Sequence, residues 1–216
     1  LWKKTSHIIL TFEVVKDHIR KYIEEEIKAI KNIPLDGKIE EVVNIIYQKI
    51  HLDHGKVIIS GMGKAGQIGM NIATTLSSTG TPAAFIHPSE AQHGDLGLIQ
   101  KNDVLILISN SGKTREIIEF QELADQLYNN LTVIAITGDL NSPLAKVSNK
   151  CLFTGNPKEI CPLGLTPTTS TTVMTVVGDI LVVSMMKKIN FSKTDYAKRH
   201  HSGYLGEKAK KWRNSL

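Results

Sequence analysis

From Gly55 onward the chain alternates short runs that are apolar at every position with longer stretches of helical spacing, and this alternation restricts the fold most. Val57-Ile58-Ile59 and Val104 to Ile108 show no inward–outward alternation, so both faces of these strands have to be covered. Ala83 to Ile86, Thr132 to Ile136 and Cys151-Leu152-Phe153 extend the series to five strands. Between and after them, 67–78, 114–128 and 169–189 carry helical patterns, the last a long apolar helix behind Pro167. The pattern predicts an α/β domain, a doubly wound, mostly parallel five-stranded sheet with helices on both faces. Ligands of such sheets sit beyond the carboxyl ends of the strands, where strand order reverses.

Two helices precede the first strand. Ile9, Phe12, Val15, Ile19, Ile23, Ile27 and Ile30 fall at three- and four-residue steps, so 9–32 reads as one amphipathic helix. Pro34-Leu35-Asp36-Gly37 breaks it, and 39–51 resumes the pattern with Val42, Ile45, Ile46 and Ile50 on one side. This N-terminal helical arm exceeds what a minimal α/β domain needs, and packing against a partner subunit is expected of it. The 216 residues suit one compact domain with extensions. Nine Lys or Arg face two acids from Lys187 onward, a net +7, which leaves the preceding 186 residues at −2. Without interleaved aromatics the basic tail is read as a solvated helix end, or a segment near a phosphorylated ligand, rather than a nucleic-acid surface. No uninterrupted apolar run reaches the ~18 residues of a bilayer span, so no membrane partner is expected. The opening Leu1-Trp2-Lys3-Lys4 shows no signal pattern, and a cytoplasmic location is the expectation. Cys151 and Cys161 make neither a disulfide framework nor a zinc ribbon; Cys161 beside Pro162 reads as a small buried apolar residue.

Chemistry is concentrated in the loops at the strand ends. Ser60-Gly61-Met62-Gly63-Lys64-Ala65-Gly66 has the G-x-G-x-x-G spacing of dinucleotide sites. The acid expected about 20 residues on is missing, and Lys64 stands where backbone would meet a pyrophosphate. Two other readings stay open: a tight turn alone, or close backbone plus one cation lining a small-anion pocket. The third strand ends in Ser109-Asn110-Ser111-Gly112-Lys113-Thr114. Three hydroxyls and the free amides of a helix start suit a phosphate ester; capping by Ser111 or Thr114 accounts for only one hydroxyl.

Six segments together resemble the sugar isomerase (SIS) domain family, and within it the D-arabinose 5-phosphate isomerases. They are SGMGKAG at 60–66, STGTP at 78–82, HGDLG at 93–97, SNSGKTRE at 109–116, ITGD at 136–139 and EICPLGLTPTTSTT at 159–172. The resemblance divides the chain into a helical arm at 1–54, an SIS domain at 55–206 and a basic tail at 207–216. Family members usually continue into paired regulatory CBS domains, whereas this chain stops about ten residues past Gly206. The family's His-Pro-Gly-Gly reads His200-His201-Ser202-Gly203 here, and Lys113 stands where Glu often follows SNSG.

The resemblance implies interconversion of D-ribulose 5-phosphate and D-arabinose 5-phosphate, feeding Kdo synthesis for lipopolysaccharide or capsule. It also implies a homotetramer whose sites draw on more than one subunit. Such an enediol reaction needs a base near neutral pH, an electrophile for the enediolate oxygen and a phosphate anchor, and requires neither metal nor redox cofactor. The family positions assign catalysis to Lys64, His93, Glu116, Glu159 and His200. Lys64 polarises the carbonyl, His93 or Glu159 serves the enediol step, and His200 opens the aldose ring. Ser109, Asn110, Ser111 and Thr114 are expected to hold the phosphate, with Ser60, Gly61 and Gly63 beneath and the run from Thr168 to Thr172, Thr168 and Thr169 first, as a second wall. A different sugar phosphate as substrate, or a sensor that binds without turnover, are the alternatives. A later Kdo-pathway product, including a nucleotide-activated one, is expected to compete for the same anion cradle.

Overall fold

A computed structural model describes residues 12–213. Ile9 and the outer ends of the arm and tail, 1–11 and 214–216, lie outside the described residues. The chain opens with α1 (Phe12–Lys31) and α2 (Lys38–Ile46), which a π-helical stretch continues from Tyr47 to Leu52. Five strands follow: β1 (Val57–Gly61), β2 (Ala83–Phe85), β3 (Val104–Ile108), β4 (Thr132–Thr137) and β5 (Lys150–Phe153). Between them run α3 (Gly63–Ser78), α4 (Pro88–Ala91), α5 (Arg115–Leu127) and α6 (Pro143–Val147). Then come α7 (Thr169–Lys188), α8 (Lys193–Arg199) and α9 (Gly203–Arg213).

The strands lie in the order β2-β1-β3-β4-β5, and every neighbouring pair is parallel. Strand residues alternate between two cores. Val57, Ile59, Ile106 and Ile136 join α2, α3 and α7 on one face, with Ala29 and Ile33 of the arm. Ile58, Leu105, Leu107 and Val133 meet Ile117, Phe120 and Leu144 of α5 and α6 on the other. Burial on both faces is why these strands lack polar alternation. At the amino ends of the strands the Asp103 carboxylate is sealed, accepting from the Lys56 amide (2.9 Å), the Gln100 amide (2.8 Å) and the Lys56 ammonium (2.7 Å).

Three features depart from the sequence reading. First, α7 is long and apolar enough by length and composition to cross a bilayer. Half of that stretch is instead buried, packed on α1, α2 and α3. A helix apolar nearly all round is what a covered core position requires. Second, the tail holds two short helices, and Ser192 starts α8 with a reciprocal capping box to Asp195. Third, among the described residues of the arm's apolar stripe only Ile30 packs against the core, while Ile19 (52%), Ile23 (55%) and Ile27 stand exposed.

Candidate active site

Because strand order reverses between β1 and β3, the loops leaving these two strands diverge and open a crevice at the carboxyl edge. A cavity of about 630 Å³ fills it, lined by residues that follow β1, β3 and β5 and by the start of α7. After β1, Met62, Lys64 and Ala65 form one side. The glycines around them serve packing: a Cβ on Gly66 would lie 2.5 Å from the Gly61 carbonyl oxygen, so only glycine lets α3 approach β1 this closely. Gly63 takes a left-handed φ of +56° where the chain turns into α3. Neither Gly61 nor Gly63 lines the cavity. Lys64 is exposed, lines the cavity and has no carboxylate partner among the described residues. That arrangement fits close backbone plus one available cation, the anion-pocket alternative.

After β3, Ser109, Asn110, Ser111 and Thr114 line the cavity floor. Ser109 Oγ lies 2.8 Å from Thr114 Oγ1 and accepts the Gly112 amide (3.1 Å). Ser111 Oγ accepts the Lys113 amide (3.2 Å). Gly112 has φ +61°, and a Cβ there would lie 2.0 Å from Ser142 Oγ, so this tight turn is closed to larger residues. Thr114 stands at the N-cap of α5 yet makes no side-chain cap bond. Its hydroxyl turns to Ser109 instead, which leaves the first amides of α5 to an incoming anion. The Asn110 carbonyl accepts the Gly138 amide (2.9 Å), while its side-chain oxygen is buried without a partner among the described residues.

After β5, Asn156 to Glu159 form the facing wall. One oxygen of Glu159, Oε2, accepts from the Thr168 amide (2.7 Å), the Thr168 hydroxyl (2.9 Å) and the Ser170 amide (3.2 Å). Glu159 thus caps α7 from nine residues upstream. Burial raises its carboxyl pKa, but the hydrogen bonds from Ser170 and Thr168 outweigh burial and hold it below the usual range. A carboxyl serving as a base near neutral pH would need the opposite shift.

Not every expected residue meets at this cavity. Ser60 is buried and donates its hydroxyl to the Ile86 carbonyl (2.7 Å), tying β1 to the end of β2. Thr168 is occupied with Glu159. Thr169 is buried, with its hydroxyl given to Glu26 (2.8 Å) and accepting the Ile160 amide (3.1 Å). Of the expected wall, Ser170 and Thr171 line the cavity, because successive helical positions are turned by about 100° and face different sides. His93 is exposed in the turn after α4, and Glu116 sits half-buried in the first turn of α5; neither lines the cavity. His200, at the end of α8, is also outside it. Its ring stacks on Tyr196 (centroids 3.7 Å apart), and Nδ1–H donates to the Tyr196 carbonyl (3.0 Å), which leaves Nε2 as the basic nitrogen. Cys161 departs from its reading as a buried apolar residue. It is partly exposed, and hydrogen bonds from the Thr166 hydroxyl and the Leu165, Thr166 and Leu163 amides lower its thiol pKa to about 6.

Comparison with known proteins agrees with this architecture. The SIS domain family matches residues 51–184. An arabinose 5-phosphate isomerase KdsD of Francisella tularensis is 45% identical over 204 residues, covering 94% of this chain and 60% of the relative. The KdsD of Pseudomonas aeruginosa is 46% identical over 154 residues, 71% of this chain and 47% of the relative. The chain therefore spans about half to three-fifths of the length of these curated relatives. Among solved structures, a proposed phosphosugar isomerase involved in capsule formation from Bacteroides fragilis superposes with a TM-score of 0.86 at 57% identity, covering 88% of this chain and 99% of that one. A protein of E. coli CFT073 in complex with arabinose 5-phosphate superposes with a TM-score of 0.79 at 34% identity, covering 88% and 99%. With the five-stranded parallel sheet, the crevice at its switch point and these matches in hand, the chain belongs to the SIS domain family.

Proposed function

We propose that this chain interconverts D-ribulose 5-phosphate and D-arabinose 5-phosphate through an enediol. The observation that carries the reading is the crevice between β1 and β3, with hydroxyls and uncapped α5 amides on its floor and the unpaired Lys64 at its side. The arabinose 5-phosphate isomerases among its relatives, and the neighbour bound to arabinose 5-phosphate, supply the substrate class.

The phosphate docks at Ser109, Ser111 and Thr114, where hydroxyls rotate to donate and the α5 dipole favours the anion. A base removes a proton from C1 of the ketose, and charge develops on O2, where Lys64 stabilises it. Proton transfer from O1 to O2 and return of a proton to C2 leave the aldehyde at C1. The aldose closes through O4, so a further acid–base group has to open its ring. Glu159, held as an anion, suits a hydroxyl acceptor better than a base near neutral pH, which favours an imidazole for the C1–C2 step. His93, Glu116 and His200 lie outside this chain's own cavity, and a homotetramer that brings them to a neighbouring crevice completes the proton-transfer set. The product feeds Kdo synthesis in the cytoplasm, and a later Kdo product, free or nucleotide-activated, competes for the anion cradle.

Ribulose 5-phosphate in D₂O with purified protein tests the reading. Deuterium at C1 and appearance of arabinose 5-phosphate are expected; folded protein that yields neither refutes it. The lack of an imidazole in the single-chain cavity favours one rival, a sugar-phosphate sensor. The sensor would bind the ketose without exchange.

A further inference from the structure

We infer that Glu26, on the N-terminal arm, is a positioning residue for the cavity wall, acting through the Thr169 hydroxyl on the 159–170 segment. Thr169 lies within α7, yet its hydroxyl makes two long-range commitments. It donates to Glu26 Oε1 (2.8 Å) and accepts the Ile160 amide (3.1 Å). A carboxylate oxygen can only accept, so Glu26 fixes the direction of the Thr169 proton and turns a lone pair toward Ile160. Ile160 immediately follows Glu159, whose carboxylate holds the first turn of α7 and lines the cavity. A chain of three hydrogen-bonding groups therefore runs from the arm to the wall. All of it is part-buried, and Glu26 Oε2 is sealed from solvent without a partner among the described residues. A half-paired buried carboxylate is costly to keep, which marks the contact as one with a task beyond general packing. Of Glu24, Glu25 and Glu26, only Glu26 is partly buried, the other two being exposed.

The kinetic part of this inference rests on the isomerase reading; the structural part does not. Glu26→Ala, Glu26→Gln and Thr169→Val are compared in the full chain by hydrogen exchange and by kinetics. Glu26→Ala should speed exchange in peptides covering 159–170 by roughly tenfold or more, with β3 exchanging as in the parent. At saturating substrate kcat should fall about tenfold, while competitive inhibition by inorganic phosphate, bound at Ser109 to Thr114, keeps its Ki. Glu26→Gln still offers an oxygen to the Thr169 proton and should recover activity to within about threefold of the parent. Thr169→Val should reproduce the loss, and the double variant should be no worse than either single one. Unchanged exchange at 159–170, acceleration of β3 to the same extent, or additive losses would overturn the assignment. If the parent shows no isomerase activity, the proposed function falls while the exchange comparison still decides the role of Glu26.

Discussion

Three hydrogen bonds converge on one oxygen of Glu159, and they set how the first turn of α7 responds to acid. Since the folded-state pKa is lowered from 4.5, this contribution to stability is present above that value and is lost as pH falls through the lowered one. Glu159→Gln should therefore reduce Tm by about 2–4 °C near neutral pH, the scale of a lost cap of about 1 kcal/mol. Scanning calorimetry between about pH 6 and about pH 3 should show the gap between variant and parent closing as the carboxylate protonates. Two residues on, the Cys161 thiol at about 6 is a thiolate at neutral pH, whereas burial raises that of Cys151. Iodoacetamide should label Cys161 with a rate midpoint near pH 6 and leave Cys151 largely intact; mass spectrometry after quenching reads both. The residue types around the cavity were legible in the sequence, but their states were not. Proton affinities here come from amides brought in by a turn, and Thr169 could not be separated from Ser170 until the phase of α7 was known.

The strands were the easiest elements to read because burial on both faces leaves an unbroken apolar signature, as in Val104 to Ile108. The helices α4, α6 and α8 escaped detection for the opposite reason. Each has seven residues or fewer, too short for a periodic stripe, and each is set by its cap. The G-x-G-x-x-G spacing was visible, but its meaning lay in packing: Gly61 and Gly66 let α3 meet β1 backbone to backbone. Gly66→Ala forces backbone rather than a flexible side chain to move, so it should cost about 1–3 kcal/mol in urea denaturation. Lys64→Ala, two residues earlier and exposed, should leave unfolding nearly unchanged while lowering turnover by about 10²-fold.

At the level of the whole molecule, the arm presents two unlike sides. Ala29 and Ile33 enter the core, while Val15, Ile19, Ile23 and Ile27 form an apolar stripe in solvent. The sequence showed the stripe as continuous and could not tell which half the domain would claim. If neighbouring copies cover the exposed half, Ile19→Glu with Ile23→Glu should lower the assembly state in light scattering without loss of helical circular dichroism. Turnover should fall with it, since His93 and His200 would lose their neighbouring crevice.

Because all five strands run the same way, the molecule has two unequal rims. The crevice between β1 and β3 occupies one, and the opposite rim, where Lys56 and Asp103 are clamped, carries the exposed turn at Lys101 and Asn102. A fluorophore or surface tether joined to Lys101 would face away from that crevice, giving a handle for immobilisation or single-molecule observation that leaves its mouth open.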